Sequence, residues 1–159
     1  AFCESKGINH NFSAPRTPQQ NGVVERKNRV LADMARAMMT EKQVSQVFWA
    51  DALSTACYIS NRAYIRPSLG KTPYELFKGR KPNLSHLHIF GSKCFIHNNG
   101  KDNLGKFDPK SDEGLFLGYS NRSKAYRVFN KRTCVVEEFV HIVFVETNPK
   151  KNLILMKKL

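Results

Sequence analysis

The sequence is poor in acid. Its 159 residues hold 13 Asp and Glu against 26 Lys and Arg, a formal charge of +13 with histidine neutral. The deficit is not local, since residues 1–80 carry 12 bases and 6 acids and residues 81–159 carry 14 and 7. A basic tail on a neutral body is therefore excluded. Positive charge spread this evenly points to a polyanionic partner, because each phosphate contact releases counterions and strengthens binding. Long apolar runs are missing too. The best candidates, Phe139–Val145 and Leu153–Met156, fall far short of the ~18 residues that a bilayer-spanning helix needs, so no membrane partner is expected. Hydrophobic residues still make up 41% of the chain, enough to build a core, which argues against disorder of the whole chain.

Several chemistries lack their residues. The four cysteines, at 3, 57, 94 and 134, form no C-x-x-C and have no histidine at zinc spacing. With no secretory signal, they read as reduced, structural thiols of an intracellular chain. His10, His86, His88, His97 and His141 make neither H-E-x-x-H nor H-x3-H. His86 and His88 could share a strand face, but the ordinary role of such a pair is structural. No G-x-x-x-x-G-K-[ST] or G-x-G-x-x-G is present to cradle a nucleotide. No G-x-S-x-G occurs, and no cysteine has a base nearby in sequence. The chain opens on Ala1-Phe2-Cys3 rather than Met, which suggests processing or a fragment.

What is present divides near residues 82–88. Residues 1–21 are rich in Gly, Pro, Asn and Ser and read as loop. Val23, Val24, Val30, Leu31, Met34, Ala35, Met38 and Met39 then recur near the 3.6 period, predicting a helix over 23–39. A second helix is predicted from Gln46 to Arg62 behind Ser45 as N-cap. Thr72-Pro73-Tyr74-Glu75 has the form of a capping box with proline at the first helical position, and Gly79 and Pro82 should stop the short helix it starts. From His88 the period shortens. His88–His97, Gly114–Tyr119, Lys124–Asn130 and Thr133–Glu146 are Phe-, Val-, Ile- and Tyr-rich runs punctuated by Asn98-Asn99-Gly100, Asp108-Pro109 and Ser120-Asn121. They predict a small antiparallel barrel with a hairpin turn at Asn130-Lys131-Arg132. The segment Pro149–Leu159 reads as a solvated basic terminus.

Two stretches carry the densest polar signal. In Pro15–Arg29, a helical wheel at about 100° per residue puts Glu25, Arg29 and Arg36 on the face away from the apolar stripe. This is either a carboxylate presented among guanidiniums for chemistry or a solvated ion pair of a common kind. Lys27 falls inside the apolar stripe and has to snorkel or meet a partner there. In the strand half, Lys93, Lys101, Lys106, Lys110, Arg122, Lys124, Arg127 and Lys131 alternate with Phe95, Phe107, Phe116, Tyr119, Tyr126 and Phe129. Such an array can hold a phosphate backbone and stack on bases. Alternatively the aromatics are the barrel core and the lysines its wet outside.

Thr17-Pro18-Gln19-Gln20-Asn21-Gly22-Val23-Val24-Glu25-Arg26-Lys27-Asn28-Arg29 closely resembles the last catalytic block of the integrase in copia-type retrotransposon Pol polyproteins. The likeness continues through Phe48-Trp49-Ala50-Asp51-Ala52, Asn61-Arg62, Lys71-Thr72-Pro73-Tyr74-Glu75, Phe90-Gly91-Ser92-Lys93-Cys94, Gly114-Leu115-Phe116-Leu117-Gly118-Tyr119 and Tyr126-Arg127-Val128, covering about residues 2–147. The resemblance implies an α+β chain. Residues 1–84 would be the mostly helical C-terminal fragment of a ribonuclease-H-like catalytic core, residues 85–147 an SH3-like β-barrel, and residues 148–159 a basic tail. It implies 3′-end processing and strand transfer of element DNA into a target duplex, in the nucleus, by an enzyme that works with other integrase protomers. Three carboxylates there hold two Mg²⁺ ions for in-line displacement at phosphorus. Glu25 matches the third carboxylate, with Asn21, Arg26, Lys27, Arg29 and Arg36 as candidate nucleic-acid contacts.

The family's other two acids are aspartates upstream of that glutamate, and none of residues 1–24 is Asp. A single carboxylate is a weak site for Mg²⁺, which demands near-octahedral oxygen ligation. The expectation is therefore a fragment or the product of a decayed element, inactive alone. Its alternative roles are a non-enzymatic nucleic-acid-binding module or a protein-interaction module. The apolar stripe of helix 23–39, lacking a sheet beneath it, should leave the helical half loosely packed or oligomer-prone unless the helices pair. Residues 88–146 should form the better-defined unit.

Overall fold

The computed structural model of this chain describes residues 3–9, 12–98 and 105–145. His10, the Asn99-Gly100 pair, Lys101, Glu146 and the basic tail lie outside the described residues.

The loop before the first helix is folded on itself. The Thr17 hydroxyl donates to the Ala14 carbonyl at 2.6 Å, and the Ala14 N–H donates to Gln20 Oε1 at 2.9 Å. A 3-10 turn over Pro18–Asn21 then leads directly into α1, Gly22–Glu41. The predicted second helix is split into a 3-10 turn, Gln46–Phe48, and α2, Trp49–Ala63. The Ser45 side chain accepts from the Val47 N–H, so the N-cap serves the turn rather than the α-helix. The Thr72 capping box forms as the sequence predicts. The Glu75 N–H donates to Thr72 Oγ1 at 3.2 Å and the Thr72 N–H donates to Glu75 Oε2 at 2.7 Å. Helix α3, Pro73–Lys78, ends at Gly79, whose φ of 68° is the left-handed stop that glycine adopts without strain.

Helices α1 and α2 form an antiparallel hairpin. Residues 42–48 join them at one end, and Lys27 Nζ donates to Ser60 Oγ at 3.0 Å near the other. That bond answers the placement of Lys27 in the apolar stripe: its stem runs toward the neighbouring helix and its ammonium ends on a buried hydroxyl.

Five strands follow: β1 Lys93–His97, β2 Ser111–Tyr119, β3 Tyr126–Asn130, β4 Val135–Phe139 and β5 Ile142–Phe144. All pairs are antiparallel, in the order β4-β3-β2-β1-β5. A flat sheet would hold its edges about 19 Å apart. Yet only Val140 and His141 separate β4 from β5, a reach of about 11 Å at most. The sheet must therefore curl so that the end of β4 approaches the start of β5, giving a barrel that stays open between those two unpaired edge strands.

Two predicted strands need correction. The run from His88 becomes a strand only at Lys93, because the Ser92 N–H turns back to the Ile89 carbonyl at 3.1 Å and Gly91 takes a φ of 77°. The run Thr133–Glu146 is two strands, because its halves pair with opposite edges of the sheet, β3 and β1.

The helical half is not loose throughout. Ala35 and Met39 of α1 and Ala52 and Ala56 of α2 share one buried cluster with Phe90 and Leu117 from the strand half. A second cluster fills the barrel around Cys94, Ile96, Phe116, Tyr119 and Val128. The expected exposed apolar face survives only at the start of α1, where Val23, Val24 and Val30 face solvent. Among the described residues, no helix is long and apolar enough to cross a membrane.

Candidate functional site

The face predicted to carry chemistry lies at the free end of the helical hairpin. Glu25 sits in the first turn of α1, where a carboxylate is favoured by the helix dipole. It is exposed and makes no hydrogen bond or ion pair with any described residue. Arg26 and Arg29 are exposed beside it, and with Gly22, Val30 and Asp33 they line a shallow depression along the helix. Asn21 stands at the N-cap, exposed, and makes no side-chain capping bond.

Arg36 shares the wheel angle of Glu25 but lies eleven residues along, about 16 Å up the axis. Its guanidinium is engaged locally, 2.6 Å from Asp33 Oδ1 and 5.9 Å from the Trp49 ring centre. Lys27 is held by Ser60 on the side facing α2. The structure thus brings Asn21, Glu25, Arg26 and Arg29 together and separates Arg36 from them. Among the described residues, no three His, Cys, Asp or Glu side chains gather into a group that could hold a metal ion.

A larger groove, about 630 Å³, runs along α2 between Leu31 of α1 and the β2–β3 loop at Ser120 and Asn121. Tyr58 on its wall is backed by further aromatic rings. Tyr58 stacks on Tyr119 with ring centres 4.3 Å apart, and its hydroxyl is hydrogen-bonded to His86 Nε2 at 2.9 Å. Burial raises the Tyr58 phenol above its ordinary range. Burial, with Arg62 and His88 nearby, holds His86 below the usual histidine value. Both groups are therefore neutral at neutral pH. The charge in the groove is Arg62, whose guanidinium lies 3.4 Å over Tyr58 and 4.8 Å from the Tyr74 ring centre. His86 and His88 lie in the loop before β1 rather than on a strand, and His88 stacks on Phe144 at 3.6 Å.

On the barrel, the aromatics divide. Phe116 and Tyr119 are buried, and Tyr126 and Phe129 are half-buried against the core, so these four pack rather than offer faces to bases. Phe95 and Phe107 are exposed. Several barrel cations are already paired. Lys93 and Lys131 both bind Glu113, Arg127 binds Asp51 of α2 at 3.0 Å, and Arg132 binds the buried Asp112.

A second basic stretch escapes motif-based reading. Residues 62–81 hold six bases, Arg62, Arg66, Lys71, Lys78, Arg80 and Lys81, against Glu75 alone. The Glu75 carboxylate is spent on the capping box, which holds its carboxyl below the usual range. The signal is in the composition of the window rather than in any spacing.

Comparison with known proteins follows the same ground. A family model described as the retroviral polymerase SH3-like domain matches residues 92–155. The retrovirus-related Pol polyprotein from transposon TNT 1-94 of Nicotiana tabacum is 34% identical over 146 residues, covering 92% of this chain and 11% of that polyprotein. The retrovirus-related Pol polyproteins from transposons RE2 and RE1 of Arabidopsis thaliana are 30% and 31% identical over 145 residues, 91% of this chain and 10% of each of them. The chain spans about a tenth of the length of these curated relatives.

Proposed function

Because this chain belongs to the retrovirus-related Pol polyproteins of transposons, we propose that it is the C-terminal part of the integrase within such a polyprotein. Residues 1–84 would close the ribonuclease-H-like core and residues 85–147 would form its SH3-like barrel. The observation that carries the reading is Glu25: a carboxylate in the first turn of α1, exposed, unpaired with any described cation and flanked by Arg26 and Arg29. An acid on a basic surface normally forms an ion pair. One left open there is suited to ligate a cation while its neighbours hold phosphates.

In the parent enzyme, two Mg²⁺ ions would activate the attacking oxygen and stabilise the leaving one. This chain's described residues do not gather the further ligands such a pair requires, so no step through metal is assigned to them. Their own contribution is binding and orientation. Arg26 and Arg29 neutralise phosphate near Glu25, Asn21 offers an amide at the helix start, and Lys27 fixes α1 against α2. The partners are element ends, target duplex and other integrase protomers, and the site of action is the nucleus.

By itself the chain would act as a nucleic-acid-binding module, with strand transfer confined to the assembled polyprotein. A strand-transfer assay on this chain with Mg²⁺ should give no product. In an integrase assembled with the upstream polyprotein segment, Glu25→Gln should remove strand transfer and leave DNA binding in place. Strand transfer surviving that substitution overturns the role of Glu25.

A further inference from the structure

The uncompensated charge of this molecule is densest outside its barrel. Of the barrel's cations, Lys93, Arg127, Lys131 and Arg132 are each bound to a carboxylate, while Lys106, Lys110, Arg122 and Lys124 are exposed and form no ion pair with a described acid. In residues 62–81, by contrast, Arg66, Lys71, Lys78, Arg80 and Lys81 are exposed, and none forms an ion pair with an acid among the described residues.

The backbone holds two of them against each other. Arg66 and Lys71 form an isolated antiparallel bridge, with the Arg66 N–H donating to the Lys71 carbonyl at 3.0 Å. The turn between them is closed by the Gly70 N–H on the Arg66 carbonyl at 2.9 Å, with Gly70 at a φ of 60°. Residues opposite each other across such a bridge have Cβ atoms only about 5 Å apart, and like charges there repel. The nearby Glu75 carboxylate, which feels Lys71 and Lys81, is held by its bonds to Thr72 and pairs with neither cation, so a fold that fixes Arg66 and Lys71 in register is preorganised for an added anion. Downstream, the left-handed turn at Gly79 carries the chain out of α3 into Arg80 and Lys81. Phe77, with 70% of its surface exposed, lies beside them, and Lys78 Nζ is 5.2 Å from its ring centre. Cations with an open aromatic face suit a nucleic-acid backbone and its bases better than an acidic peptide.

The placement matters. Arg62 at the end of α2 and the Lys27–Ser60 bond put this stretch at the same end of the hairpin as Glu25 and Arg26. Resting on the reading of the chain as a nucleic-acid binder, we propose that the bridge-and-helix segment Arg66–Lys81, rather than the barrel, is its principal phosphate-binding surface.

The test measures full-chain binding to a labelled DNA duplex by fluorescence anisotropy across a salt series. One variant carries Arg66→Gln, Lys71→Gln, Arg80→Gln and Lys81→Gln, and a control carries Lys93→Gln, Lys106→Gln, Lys110→Gln and Lys131→Gln. Both give up the same net charge, so an effect of total charge alone cannot separate them. The first variant should flatten the slope of log Kd against log salt by about 3.6 units, at about 0.9 for each phosphate no longer neutralised. The control should change it by less than about 1 unit on the same scale. Urea midpoints check that both fold, and the double variant Arg80→Gln/Lys81→Gln, which touches no structural bond, should flatten the slope about half as much. Equal effects in the two fourfold variants, or a larger one in the control, overturn the assignment while leaving nucleic-acid binding intact. Polyglutamate displacing the duplex as well, charge for charge, as unlabelled DNA also overturns it, in favour of an acidic protein partner. Absence of any duplex binding by the unmodified chain at low salt instead removes the proposed function on which this inference rests.

Discussion

The Thr55 side chain occupies the space that a Cβ on Gly118 would need. Such a Cβ would stand 2.2 Å from Thr55 Oγ1. The contact exists because β2 bulges between Phe116 and Gly118, which takes the Leu117 carbonyl out of the ladder with β3. The Thr55 hydroxyl donates to that carbonyl at 3.0 Å, satisfying a buried acceptor. Gly118 has a φ of 136°, a conformation side chains rarely adopt. Gly118→Ala should therefore destabilise the fold by about 3 kcal/mol, the sum of backbone strain and overpacking. In a Thr55→Ala background the steric part disappears, and the cost should shrink by about 1 kcal/mol or more. Urea denaturation of the four proteins reads both numbers, and an unchanged midpoint in Gly118→Ala would refute this account of the docking.

Acid should unfold the barrel through Asp112. This carboxylate is buried in β2 and accepts from Arg132 Nε at 2.9 Å and from Asn130 Nδ2 at 2.9 Å. Hydrogen bonding to Arg132 is the largest influence, and it holds the Asp112 carboxyl below the usual range, with Asn130 adding to it. A group whose pKa is lower folded than unfolded contributes all of its stability above the unfolded value, about 3.9, and loses it as pH falls through the folded one. Stability should thus be steady near neutrality and fall below about pH 4. Asp112→Asn should be less stable at pH 7 and show a flatter acid limb in denaturant titrations. An identical limb in the variant would contradict it.

Much of this fold can be read from the sequence where its signals are local. The Thr72-x-x-Glu75 box, the Gly79 stop and the hairpin turn at Asn130 are short-range chemistry, and each forms. Asn130 even caps its own turn, its Oδ1 accepting from the Arg132 N–H at 2.9 Å. Long-range features are not legible in the same way. Period alone cannot say that Thr133–Glu146 pairs with two different edges. Nor can it say that Arg127 is taken by Asp51, 76 residues away, which removes a cation from the expected phosphate array. Lys27 looks misplaced on a wheel because Ser60 lies 33 residues on. In the sequence Glu25 stands out by resemblance, since an acid in a first helical turn is common; that it stays unpaired beside Arg26 and Arg29 is visible only in the structure.

The four cysteines should react in order of their surroundings. All are free thiols, Cys94 buried in the barrel and Cys134 exposed in the β3–β4 turn. Burial pushes the Cys94 thiol up to about 12, so its thiolate is scarce at neutral pH and its sulfur is out of reach. Iodoacetamide at pH ~7.5, below the ordinary thiol pKa, should label Cys134 first and Cys94 only after denaturant is added, as peptide mass mapping would show. Rapid labelling of Cys94 in the native protein would mean the barrel core opens readily.

Protection should be graded along α1 rather than uniform. The helix begins with Val23, Val24 and Val30 in solvent and ends with Ala35 and Met39 in the cluster shared with Phe90 and Leu117. Apart from the Lys27–Ser60 bond, the first turns of this helix are held only by its own hydrogen bonds, and an isolated helical segment of a few turns is marginal in water. Its last turns can open only with the core that β2 supplies. Native-state hydrogen exchange should therefore find the amides of Glu25–Val30 exchanging by local fraying. Those of Ala35–Met39 should match the slow amides of β2 and β3. Slow exchange at Glu25–Val30 equal to that of β2 would show that another surface covers the start of α1 in solution. Protection rising with protein concentration would identify that surface as a second copy of this chain.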